Sequence, residues 1–312
     1  MNLLLWLAAL PCLYWTPAVD SAPRLKAAGI DRLCVPPARA EEWRQAGFAA
    51  VGLSEADLAV RDTPLAPGIR VRADRASATR SPWVDANGWR FLRDPAGQYA
   101  YDLPAGRAAL AAAEAAVYGA DAVLRIDPAD LESLGAMMVF LAQLPANDLP
   151  DVADLAVVDD GSAPLGEVLN LLVRRNLLIR IVKAPSPDFG INVRLGTKEY
   201  PLREAGEPSA LALKIRRQLT DEQRALRVFG SEVVIGRLAS DGSRARLHLL
   251  NYGGREIEGL RIHVRGSFPR GEALVAGQGR VGLEERAVVN GATEFTVPRL
   301  GLYGVVDLSA LE

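Results

Sequence analysis

The chain is poor in the residues that build metal centres and redox sites: 312 residues contain only two histidines, His248 and His263, and two cysteines, Cys12 and Cys34. Two cysteines cannot form a thiolate zinc site, which takes three or four ligands, and they allow at most one intramolecular disulfide. Two histidines fifteen residues apart exclude an HExxH metalloprotease and any His-rich metal site. A Ser-His-Asp triad stays open but has little behind it, because both histidines alternate with Leu and Val as sheet-face residues do. An excess of one charge is also missing. Thirty-six Lys and Arg stand against 38 Asp and Glu, a formal charge of -2, so the overall balance attracts neither nucleic acid nor an anionic membrane. The chain contains no GxxxxGK[ST] loop and no GxGxxG after an early strand, so no nucleotide cofactor is expected. No metal is expected either.

What is present is an ordinary globular composition, 49% hydrophobic and 24% charged, on a chain long enough for one large or two moderate domains. The first 15 residues, MNLLLWLAALPCLYW, have the length of a signal-peptide core. No Lys or Arg precedes Arg24, however, and the small-x-small site at 18–22 contains Asp20. Pro11 and Pro17 interrupt any membrane-spanning helix, so no integral span is expected. Two readings therefore stand at this end. One is export to the periplasm or the exterior. The other makes 12–15 the first buried strand of an α/β domain, followed by a helix over 20–28, with a cytoplasmic location as the alternative.

From 12 to about 205, short apolar runs precede helical patterns, as in βα units around a parallel sheet. The runs are CLYW (12–15), RLCVP (32–36), AAVGL (49–53), IRVRA (69–73), YAYDL (99–103), AVLRI (122–126), LAVVD (155–159) and LIRIV (178–182). Amphipathic segments at 20–28, 38–46, 105–118, 128–144 and 164–176 lie between them. Gly29, Gly47 and Gly119 follow helical text where a left-handed cap is expected, and Asp127-Pro128 reads as an N-cap followed by proline. Eight runs suggest a compact barrel. About 195 residues nevertheless fall short of the roughly 250 of a full eightfold barrel, so some units are degenerate or the sheet is open. A charged helical connector spans 206–226. From 227 to 312 the period changes to two, with DG, GG and NG turns, which predicts an antiparallel β-sandwich. The expected fold is thus α/β plus all-β, a degenerate barrel-like domain at 12–205 followed by a small sandwich.

In parallel α/β folds, functional groups project from the C-terminal ends of strands. Asp102, Asp127 and Asp159 follow three of the runs, and paired carboxylates at such an edge can serve as acid and base, or acid and nucleophile, in glycoside hydrolysis. Asp and Ser in these positions also serve as ordinary caps and turn residues. Asp159-Asp160 could mark a phosphoacceptor or magnesium site, but no third acid and lysine accompany it. The segment 82–101 concentrates Trp83, Asp85, Asn87, Trp89, Arg90 and Tyr101. Aromatic faces beside polar groups suit sugar rings, so these six are the substrate-binding candidates; the alternative makes the tryptophans core plugs under a long loop. Arg174-Arg175 closes a helix whose dipole favours cations.

The layout resembles bacterial glycoside-hydrolase-like proteins. The likeness rests on NGWRF (87–91), YDLPAG (101–106), AAVYGADAVLRI (115–126), RLHLLNYGG (246–254) and EFTVPRLGLYGVVDL (294–308), the last two being similar to sandwich domains that follow catalytic barrels. Residues 152–182 also look like one βαβ unit of an amidotransferase-like flavodoxin fold, without that fold's nucleophilic cysteine. The resemblance implies a carbohydrate or glycan ligand and a glycosidase-like function, for which the strand ends offer Asp102, Asp127 and Asp159. The alternative is a non-catalytic carbohydrate-binding or structural envelope protein with a decayed barrel site.

Overall fold

The computed structural model describes residues 10–70 and 83–310. Residues 1–9 of the apolar amino-terminal run and 71–73 of one expected strand lie outside the described residues. The chain divides into two compact units, residues 1–68 with 94–147 and residues 69–93 with 148–312.

In chain order the first elements are β1 (Cys12–Tyr14), α1 (Ala22–Ala27), β2 (Arg32–Val35), α2 (Ala40–Gln45), β3 (Ala49–Gly52) and α3 (Glu55–Ala59). Next come β4 (Gly68–Arg70) and β5 (Trp83–Asp85), which pair with each other, and α4 (Gly88–Arg93). Then follow β6 (Gln98–Leu103), α5 (Ala108–Tyr118), β7 (Asp121–Ile126) and α6 (Leu131–Gln143). The first unit is built on a five-stranded sheet, order β3-β2-β1-β7-β6, parallel throughout. The strand expected at 12–15 is therefore its middle strand.

Register settles what each face carries, because residues paired across parallel strands share a face. Leu13, Leu33, Leu124 and Tyr101 form one buried row. Cys12, Val123 and Ala100 align on the opposite face, followed by the pair Tyr14 and Cys34, and these five pack with Leu53 and Leu58 in a small core. The two cysteines are joined, Cys12 to Cys34, across β1 and β2 with Cα atoms 5.7 Å apart. On the other side α5 is alanine-rich and almost wholly buried. Its last turn ends on Gly119 in the left-handed region, as expected. Its first turn is held by Asp130, whose carboxylate accepts from the backbone N–H groups of Gly106, Arg107 and Ala108 at 2.7, 3.1 and 3.1 Å. In α6, Gly135 is required by packing: a Cβ there would lie 1.8 Å from the Ala28 carbonyl oxygen.

The second unit continues with β8 (Leu155–Val158), α7 (Ala163–Arg174), β9 (Ile179–Val182), β10 (Asn192–Val193) and α8 (Pro208–Gln223). β10-β8-β9 form a three-stranded parallel sheet. The eight expected runs thus do not join one hydrogen-bonded sheet among the described residues. Ser162 caps the start of α7, and Arg224 donates to the carbonyls of Arg175 and Asn176 at its end.

The remaining strands are β11 (Leu226–Val228), β12 (Val234–Ser240), β13 (Arg244–Asn251), β14 (Ile257–Arg265), β15 (Arg270–Val275), β16 (Gly279–Val281), β17 (Glu284–Val289), β18 (Ala292–Leu300) and β19 (Tyr303–Ser309). They form two antiparallel sheets, β11-β14-β18-β17 and β12-β13-β19-β15-β16, around one core that includes Leu226, Leu247, Ile262, Phe295 and Val306. This is the sandwich that the period of two predicts. Apolar and polar contacts join the three-stranded sheet to the sandwich: Leu178 and Val152 pack with the sandwich core. Asp154 accepts from the Ala225 N–H at 2.8 Å, and Asn176 bonds both the Val234 carbonyl and the Gly236 N–H. Among the described residues no helix is long and apolar enough to cross a membrane.

Candidate functional site

The C-terminal edge of the five-stranded sheet gathers the most chemistry in the first unit. Counting two residues along from the Cys12, Ala100 and Val123 row reaches Tyr14, Asp102 and Arg125, all on one face. Asp102 and Arg125 are register partners on β6 and β7, and the guanidinium forks the carboxylate at 2.6 and 2.7 Å. The pair is open to solvent, with the Asp102 side chain 60% exposed. Tyr14 donates its hydroxyl to Glu55 at 3.0 Å. Burial first, and then the bond to Glu55 and that group's charge, push the Tyr14 phenol above its ordinary value. Glu55 is placed by a capping box: the Ser54 hydroxyl accepts from the Asp57 N–H while Asp57 accepts from the Ser54 N–H, which starts α3 directly after β3. Asp127, just beyond β7, accepts from the Ala129 N–H at 2.9 Å and caps the short turn before α6.

Tyr14, Glu55 and Arg125 were not among the sequence candidates. The capping box was legible as Ser54-x-x-Asp57, and the alternation of β1 and β7 would have placed Tyr14 and Arg125 on one face once their pairing was known. Tyr101 went the other way. It is wholly buried on the opposite face and donates to Glu114, itself wholly buried, at 2.9 Å.

In the second unit the remaining candidates cluster around α4 and the start of α7. Asp159, after β8, accepts from Arg93 Nε at 2.9 Å and from the Gly161 N–H at 3.1 Å, with Arg93 Nη2 in an ion pair 2.8 Å from the same oxygen. Burial acts to raise its pKa, but the Arg93 and Gly161 bonds outweigh that and hold the carboxyl below the ordinary range. Asp160 accepts from the Ser162 N–H. Trp83 donates to Asp85, which also takes Arg70, and the Arg174 guanidinium stands 4.4 Å from the Trp83 ring centre. Asn87 is buried and its carbonyl begins α4. Trp89 is buried against Gly166 of α7, with Arg90 stacked 4.3 Å from its ring. The segment thus brings Trp83 to Asp85 and Trp89 to Arg90, and engages both rings within the fold.

The two histidines lie on strands, as read. His248 is partly buried beside the Tyr303 hydroxyl at 2.8 Å, and desolvation together with the Arg237 and Arg246 charges pulls its pKa down to about 3. A neutral imidazole accepting at Nδ1 fits that contact.

No protein-family model matches the sequence, and no curated protein matches it. Among solved structures, the chain is similar to α-L-fucosidase isoenzyme 2 from Paenibacillus thiaminolyticus, with a TM-score of 0.51 and 11% identity over 72% of this chain and 62% of that one. The fold is glycosidase-like. The chain spans 62% of the fucosidase's length, and at 11% identity the likeness is one of fold alone. Also matched are a cold-adapted β-galactosidase from Rahnella sp. R3, at a TM-score of 0.37 and 10% identity over 92% of this chain and 62% of that one, and a GH42 β-galactosidase from G. stearothermophilus, at 0.36 and 7% over 75% and 52%.

Proposed function

We propose that this glycosidase-like protein binds carbohydrate at the C-terminal edge of its five-stranded sheet and does not hydrolyse it. The observation behind this reading is the Asp102–Arg125 fork. An acid–base group must reach a substrate with its carboxyl free, whereas the Asp102 carboxylate is taken up by the Arg125 guanidinium, whose Nε and Nη2 stand 2.6 and 2.7 Å from its two oxygens. Asp127 is engaged as a cap and Asp159 is held below the ordinary carboxylate range, so neither has the environment of the acid partner. The same edge offers a phenol, two carboxylates and a guanidinium, which suit hydroxyl recognition.

The test is a glycan-array screen on the folded protein, followed by hydrolysis assays on each hit. Binding without turnover, weakened in Arg125→Ala, is the expected result. Turnover lost in Asp102→Asn would overturn the non-hydrolytic part, and the absence of any glycan ligand would overturn the whole reading.

We propose further that the protein works in an oxidising compartment, periplasmic or extracellular, a reading that the Cys12–Cys34 disulfide supports. Both thiols should resist alkylation in protein taken from intact cells under denaturing, non-reducing conditions. Full alkylation of both would move the protein to the cytoplasm.

A further inference from the structure

The charges at the sheet edge of the first unit do not balance, and the imbalance bears on the kind of sugar that edge takes. Tyr14, Arg125 and Asp102 stand in one row across β1, β7 and β6, and Glu55 joins the row at its β1 end through the Tyr14 hydroxyl. Neighbouring strands lie about 4.8 Å apart, so the row from Tyr14 to Asp102 spans about 10 Å, the length of a disaccharide. Tyr14 is buried, which fixes its hydroxyl in place, whereas Glu55 is exposed to solvent.

The guanidinium groups of the surrounding turns are already engaged. Arg125 takes Asp102, Arg39 pairs with Glu42 at 3.6 Å and donates to the Thr16 carbonyl, and Arg61 pairs with Asp121 at 3.1 Å. Arg24 reaches the turn after β7 but donates to the Pro128 carbonyl, and Arg107 packs against Gly68. Among the described residues Glu55 and Asp127 are in no ion pair; their partners are the Tyr14 phenol and the Ala129 N–H. Burial, then the Glu55 bond and charge, push the Tyr14 phenol up, and the opposing pull of Arg125 is the weakest of these influences. At the β1 end of the row the carboxylate therefore outweighs the cation.

We propose that the sugar held at this edge is an amino sugar, a hexosamine with a free amine, whose ammonium group is taken by Glu55 while hydroxyls of the adjoining ring bond Asp102 and Arg125. A neutral sugar would use the same donors and acceptors but leave the Glu55 charge uncompensated, whereas an ammonium group answers it through a charge-assisted bond. A uronate would meet like charge at Glu55 and find Arg125 already taken. The inference rests on the carbohydrate reading above and names the ligand class of that same edge.

The test is calorimetric titration with tetraglucosamine, its N-acetylated counterpart and cellotetraose, which share one backbone and carry an ammonium, an acetamide or a hydroxyl on each ring. At low salt and about pH 6 the amine is protonated and a carboxylate is ionised. Tetraglucosamine should bind about tenfold or more tighter than the other two. Glu55→Gln should remove most of that preference with the unfolding midpoint unchanged, because glutamine keeps an acceptor for Tyr14. Added salt should weaken tetraglucosamine and leave cellotetraose unaffected. Equal, measurable affinity for all three, or a preference that survives in Glu55→Gln, would overturn the inference and leave the sheet-edge site standing. Tetralysine bound as tightly as tetraglucosamine would overturn it too, since any polycation would then suffice. Failure to bind tetraglucosamine alongside a neutral hit on the glycan array would sink the amine alone, and no glycan ligand of any kind would sink both readings.

Discussion

Each parallel sheet has at its C-terminal edge an aspartate paired with an arginine, yet the two pairs live in different surroundings. In the first unit Asp102 is 60% exposed and Arg125 37%; in the second, Asp159 is 27% exposed and Arg93 17%. Asp159 also takes a backbone N–H from the loop that leads to α7. Identical residue types thus give an accessible pair at one edge and a loop anchor at the other. Solvent exposure, more than residue identity, decides which carboxylate can meet a ligand and which holds the fold.

The strongest way to break this comparison is to loosen the sheet beneath the exposed pair. The Cys12–Cys34 link closes a loop with a separation of 22 residues across β1 and β2. Replacing both cysteines by serine should cost about 3 kcal/mol in a urea titration. An unchanged midpoint would show that the sheet does not depend on the link.

Asp159→Asn should come next, at about 2 kcal/mol, because it takes the bonded carboxylate from a largely buried guanidinium and leaves it only Asp160, 4.0 Å away. The same group sets a pH window. Its folded pKa lies below the unfolded 3.8, so its contribution is complete above that value and disappears as pH falls through the folded pKa. The variant should therefore lose that part of the acid-induced destabilisation, measured as unfolding midpoint against pH between 5 and 2; a profile parallel to the parent's would refute the anchor role.

A smaller effect, about 1 kcal/mol, is expected for Tyr101→Phe, which removes the hydrogen bond to buried Glu114 and keeps the ring. Asp102→Asn should change stability least, by about 0.5 kcal/mol or less, since exposed ion pairs contribute little. A loss there as large as that of Asp159→Asn would erase the contrast between the two edges. Thermal unfolding of the two variants side by side checks both.

Much of the local structure was legible because it depends on near neighbours. Gly29, Gly47 and Gly119 adopt the left-handed backbone that helix ends favour, Asp127 caps its turn, and the DG, GG and NG turns separate strands of a sandwich. The site was less legible. Asp102 and Tyr101 are adjacent in sequence and looked equally suited to a ligand, but the pleat sends one to solvent and the other into the core. Trp83 and Trp89 gave the text of a sugar platform, while Arg174 and Gly166, distant in sequence, and Arg90, read there as a ligand contact, pack against them.

The sequence by itself determined most of the βα runs and several helix caps, the switch from α/β to alternating β structure near 227, and the presence of a carboxylate after several strands. These follow from periodicity and capping, which act over a few residues. Tertiary structure alone decided that the parallel strands divide between a five-stranded and a three-stranded sheet, and that Tyr14, Glu55, Asp102 and Arg125 converge on one edge. Strand order and register bring together residues more than a hundred positions apart, and burial then sets whether each charge meets water, a partner or a ligand.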